Sequence, residues 1–168
     1  MLNTQGPSQS DVEICDLSFI EQVFIWSLRM KIRGDKYFAK VIAHCENNLS
    51  PAAACIALNS IDMIVKSVKH HGVKSLNLNC TCMTKLSSDE WLLITVFREA
   101  NAEQIQTAHA CAVSMVEEEG VNLMIHALLS FQMAMETIDK PVVNKTDHTL
   151  MAEQRHHGIA SQTSKMIH

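Results

Sequence analysis

The sequence predicts an all-α bundle of five to six helices with one short extended segment near residues 74–79. Three observations predict it. Between residues 18 and 140 the glycines and prolines are Gly34, Pro51, Gly72 and Gly120, each where a helix would begin or end, and Pro141 closes the stretch. Between these marks the apolar residues recur at helical spacing. Aromatic residues make up only 5% of the chain while methionine occurs 10 times, a core composition that suits helix-on-helix packing better than aromatic-rich strands.

Ser18 opens S-F-I-E, a capping box closed by Glu21. Phe19, Val23, Trp26 and Met30 follow at helical spacing, and Gly34 can end that helix. A second helix puts Phe38, Val41, Ile42 and Cys45 on one face and stops near Asn47 and Asn48. Ser50-Pro51 is an N-cap followed by proline at the first helical position. The third helix then carries Ala54, Leu58, Ile61, Val65 and Val68 as far as Gly72. Lys69, His70 and His71 fill its last turn, where cations complement the helix dipole.

Residues 74–79, KSLNLN, alternate apolar and polar and are too short for a helix, so they read as extended. Ser87 with Glu90 forms another capping box and launches Trp91 to Ala100. Asn101 with Gln104 reads as a further cap, which predicts a helix from Ala102 to Glu119 broken by Gly120. The last helix, Val121 to Asp139, is apolar around most of its circumference, with Asn122, His126, Ser130 and Thr137 near one polar stripe. A helix of that kind is central in its bundle or shared with another chain, which predicts a homodimer through residues 121–139. Residues 1–17 and 141–168 lack periodicity and read as flexible ends around one helical domain, 18–140.

A net charge of −4 argues against a protein whose main work is electrostatic capture of nucleic acid. No run of 18 apolar residues suggests a membrane span, and the first fifteen residues lack the basic and apolar regions of a signal peptide. The expected location is therefore the cytoplasm, where the six cysteines would stay reduced.

Packing explains Cys80 and Cys82, in N-C-T-C-M, less well than any other residues. With His70 and His71 upstream they could close a tetrahedral zinc site, since thiolate and imidazole are the ligands zinc prefers. The C-x-C spacing is a poor chelate, and no other cofactor is expected. The same two thiols could close a strained, labile disulfide, which predicts a redox role. The plainest reading makes them half-buried residues of a connection, with Cys15, Cys45, Cys55 and Cys111 as core. His44, His109 and His126 sit singly on helices without an acidic partner at metal-binding spacing.

Arg29, Lys31, Arg33, Lys36 and Lys40 give one stretch a positive charge, and Lys66, Lys69 and Lys74 add a second cluster. Together they could form a face for an acidic protein partner or a phosphate backbone. The third helix lacks the composition of a DNA-recognition helix, so a DNA-binding regulator ranks below an interaction protein. Glu117, Glu118 and Glu119 fall at a predicted helix end, where the dipole disfavours acids; a basic partner could hold them, and a solvated helix end is the simpler account. Nucleophile elbow, P-loop, G-x-G-x-x-G and H-E-x-x-H motifs are all missing, so no catalytic residue is assigned. The function expected from the sequence is non-enzymatic interaction or regulation, with metal or thiol-redox sensing by Cys80, Cys82, His70 and His71 as the alternative.

Overall fold

Ser18 and Ser87 cap their helices as their capping boxes require, each accepting from the backbone N–H of the glutamate three residues on. In the computed structural model, which describes residues 12–138, the fold is all-α. A 3-10 turn at Ile14–Asp16 precedes α1 (Phe19–Ile32), α2 (Asp35–Asn48), α3 (Pro51–His71), α4 (Ser88–Asn101), α5 (Ile105–Ala112) and α6 (Glu118–Glu136). Residues 74–79 are extended but join no sheet. Among the described residues only isolated bridges occur, between Glu13 and Lys85 and between Gly72 and Val116.

The expected flexible ends fall largely on residues 1–11 and 139–168, which lie outside the described residues. Residues 12–17 correct that expectation. Ile14 donates to the Thr84 carbonyl at 2.7 Å, Leu86 donates to the Val12 carbonyl at 3.1 Å, and Ile14 and Leu17 are buried. Two apolar side chains in this short lead-in anchor it against the segment before α4, a cue too brief to show as periodicity.

The helices pack around Phe24, which stacks on Phe97 of α4 at 5.2 Å between ring centroids and meets Phe131 of α6 at 5.5 Å. Ile25, Ile61, Ile94, Met124 and Leu128 complete this centre, all fully buried. Each such side chain contributes roughly 1.5–3 kcal/mol on burial, so the core rests on few aromatic contacts and many aliphatic ones. Among the described residues α3 is the helix long and apolar enough to cross a membrane by length and composition. Here its Ala54, Ala57, Ile61 and Ile64 stripe is buried in the bundle.

The predicted break at Gly120 is overturned. The chain leaves α5 at Ala112, turns through residues 113–117, and starts α6 at Glu118, so Gly120 lies inside the first turn of α6. Backbone pairing to the end of α3 fixes that turn: Val73 donates to the Met115 carbonyl at 3.0 Å and Glu117 to the His71 carbonyl at 2.6 Å. Gly120 is small because α3 is close. A Cβ there would sit 2.6 Å from the His71 Cβ and 3.1 Å from the Ser67 hydroxyl.

Glu117, Glu118 and Glu119 accordingly stand at the start of a helix, where the dipole favours acids, and need no basic partner on that account. The apolar circumference of α6 is largely used within the chain. Nine of its residues are buried, and Met133 is the large apolar side chain it leaves exposed, at 69%.

Candidate functional site

The residues between α3 and α4 form an ordered structure without regular secondary structure, because acids at the start of α4 take the place of a neighbouring strand. Asp89 accepts from the Asn77 backbone N–H at 2.8 Å and from the Lys74 ammonium at 2.6 Å. Glu90 accepts from the Asn79 backbone N–H at 3.0 Å. The alternation read in KSLNLN now has its explanation. Leu76 and Leu78 line an apolar cleft of about 280 Å³ with Leu28, Ile64 and Leu93, while the intervening residues turn their backbone to the acids. Burial alone would raise the Asp89 carboxyl, but the Asn77 N–H and Lys74 outweigh it and hold it below its ordinary value.

Beyond Asn79 the chain wraps around Arg29. Its guanidinium donates to Glu90 at 2.6 and 2.8 Å, to the carbonyls of Cys80 and Met83 at 3.2 and 2.7 Å, and to the Lys85 carbonyl at 3.0 Å. These contacts use all five guanidinium N–H groups. Glu90 in turn accepts from Asn79 and Ser87 as well as Arg29, so both of its oxygens are fully engaged. A buried ion pair is tolerable only when saturated in this way. Arg29 is 1% exposed, which corrects its placement on a partner-binding face. The sequence hid this because a buried arginine and a surface one look alike until their distant partners are known.

The other basic residues divide. Lys31 pairs with Asp62 at 2.6 Å and lies 4.2 Å from the centre of the Phe38 ring. Lys36 and Lys40 are exposed on α2. Arg33 stacks over Tyr37 at 4.1 Å and donates to the Thr81 hydroxyl at 2.6 Å, so it belongs to the Cys80–Cys82 turn.

That turn places Cys80 and Cys82 on the outside, both exposed, with their sulfurs 2.9 Å apart. The half-buried reading of this pair is therefore replaced, and Cys15 and Cys55 are likewise exposed where core positions were expected. Cys45 is buried as expected, and burial pushes its thiol up to about 11. At the exposed pair the thiols diverge. The hydrogen bond from the Cys82 thiol, the Cys82 backbone N–H and the charge of Arg33 hold Cys80 below its ordinary value, while the same sulfur contact raises Cys82.

The four-residue zinc set is not assembled. Among the described residues Cys80, Cys82, His70 and His71 do not bring their donor atoms together at one point. His70 is exposed, and His71 faces the start of α6 instead. Donor atoms of His71, Glu117 and Glu119 lie within 4.8 Å of one another, and among the described residues no other group of three metal-ligating side chains comes so close. Sequence reasoning missed this grouping because it placed Glu117 and Glu119 at the far end of a different helix. His109, which has no acidic partner at metal-binding spacing on its own helix, meets Glu118 at 2.9 Å across the same α5–α6 turn.

Fold and site together define an all-α bundle that displays a vicinal pair of thiols on a rigidly held loop. Comparison with protein-family models, curated proteins and solved structures returns no match for this chain.

Proposed function

We propose that the chain is a non-enzymatic regulatory protein of a reducing compartment such as the cytoplasm, and that it senses thiol–disulfide poise through Cys80 and Cys82. The observation that carries this reading is the pair of exposed sulfurs 2.9 Å apart on a loop whose backbone is fixed by Arg29. Cys80, with its lowered pKa, is the attacking thiol, and Cys82 resolves.

The oxidant is a small-molecule disulfide. The Cys80 thiolate attacks one of its sulfurs, that S–S bond breaks, and one small thiolate leaves. Cys82 then gives up its proton and attacks the Cys80 sulfur, expelling the second small thiolate. Two electrons pass from the cysteine pair to the small disulfide, whose two halves leave as thiols once protonated. Closure of so short a ring is strained, so the pair responds to oxidising conditions rather than staying closed in a reducing cell.

Thr81 separates the two cysteines in the sequence and its hydroxyl accepts from Arg33, so closing the ring disturbs that contact and changes how Arg33, Lys36 and Lys40 face an acidic protein partner. The test is equilibration in glutathione buffers of graded ratio, followed by alkylation and peptide mass spectrometry. Reversible joint protection of Cys80 and Cys82, with Cys15 and Cys55 still alkylated, is expected. Independent titration of the four exposed cysteines would overturn the reading.

A further inference from the structure

His71 ends α3, and Glu117 and Glu119 begin α6, at the point where these two helices are locked together by backbone. The Glu117 N–H donates to the His71 carbonyl at 2.6 Å, which fixes the register of one helix start against the other helix end. Gly120 removes the side chain that would hold them apart, since even a Cβ would come within 2.6 Å of His71. The imidazole is half-buried and the two carboxylates are exposed, and their donor atoms all lie within 4.8 Å of one another.

Charge balance at this point is incomplete. Glu118 turns the other way and meets His109 at 2.9 Å. Among the described residues, by contrast, no lysine or arginine pairs with Glu117 or Glu119. Two carboxylates gathered on one imidazole without a basic side chain are a donor set that lacks its positive charge. The start of α6 favours these acids, but its partial charge is shared among Glu117, Glu118 and Glu119 and does not balance two full carboxylates.

We propose that His71, Glu117 and Glu119 bind a divalent transition-metal ion of the zinc class, which ties α3 to α6. One imidazole nitrogen and two carboxylate oxygens suit zinc or cobalt. Calcium and magnesium take oxygen ligands and have no use for the imidazole. Three protein donors leave a position for water, and both acids and the histidine come from helices already fixed in place, so little ordering is needed on binding. The site is separate from the dithiol, and either can exist without the other.

The experiment is calorimetric titration of Zn²⁺ into the full chain stripped with chelator. It is done in a C80S/C82S background so that the exposed thiols cannot compete. One ion per chain is expected, with a rise in the thermal midpoint. His71→Ala and Glu119→Gln should each weaken binding by about tenfold or more, and Glu118→Gln should leave it unchanged. Circular dichroism of the metal-free variants checks that each remains folded, and Glu119→Gln alters only an exposed side chain. Absence of binding, or binding that His71→Ala and Glu119→Gln leave intact, overturns the proposal.

Discussion

Arg29 on α1 and Glu90 on α4, separated by 61 residues, meet through two hydrogen bonds of 2.6 and 2.8 Å with both side chains excluded from solvent. Because Arg29 also binds three loop carbonyls, the pair holds more than itself. Glu90→Gln leaves a buried guanidinium without its counter-charge and should cost about 3–5 kcal/mol, read from the urea midpoint. Arg29→Met orphans the carbonyls of Cys80, Met83 and Lys85, so a well-packed apolar exchange of both partners should not restore stability here. A double variant as stable as the parent would show that the loop does not depend on Arg29.

Acid should weaken the fold in two stages. Burial holds His44 below its ordinary value of 6.5, so the unfolded chain takes up its proton first and stability begins to fall as pH drops through 6.5. For Glu21, burial acts upward but the bonds from Arg98 and Ser18 prevail, and for Asp89 those from Asn77 and Lys74 do. Both carboxyls are held below their ordinary values of 4.5 and 3.8. Their contribution is complete above those values and disappears as pH falls toward the lowered ones. Thermal midpoints between pH 7 and 3 should show a shallow limb and then a steeper one, and His44→Gln should flatten only the first.

Gly120→Ala should destabilise the protein although alanine is the better helix former by about 1 kcal/mol. The new Cβ meets the Cβ of His71 at 2.6 Å, and the neighbouring Ser67 hydroxyl is bonded to the Gly120 carbonyl at 2.9 Å, so neither can move aside freely. Overpacking of this kind costs about 1–3 kcal/mol. A stabilised variant would mean that α3 and α6 can separate at little cost.

Arg33→Ala should slow alkylation of Cys80 at neutral pH severalfold and leave Cys15 unaffected. It removes a positive charge that favours the Cys80 thiolate. Rates followed by peptide mass spectrometry check this, and equal rates in parent and variant would remove Arg33 from the site.

Much of the helical framework was legible because its signals are local. Ser18 with Glu21, Ser50 with Pro51, and Ser87 with Glu90 each cap the helix start expected of them. Gly120 misled because glycine marks two things: a chain that must turn, and a chain that must come close to another. Only the position of His71 distinguishes them. The site was partly visible in the same sense. The paired thiols stood out by type and spacing, but their exposure, and the role of Arg29 beneath them, depend on contacts far apart in sequence.

The segment from Asn77 to Lys85 would pass for a loose connection by any measure of helix or strand content. Yet the amides of Asn77 and Asn79 donate to carboxylates, and the carbonyls of Cys80, Met83 and Lys85 are held by one guanidinium. Amide hydrogens at 77 and 79 should therefore exchange with deuterium as slowly as those of a helix interior. Proteases that favour irregular chain should also cut it poorly. The thiols would then ride on a stiff mount, and their spacing would survive ordinary thermal motion of the surface.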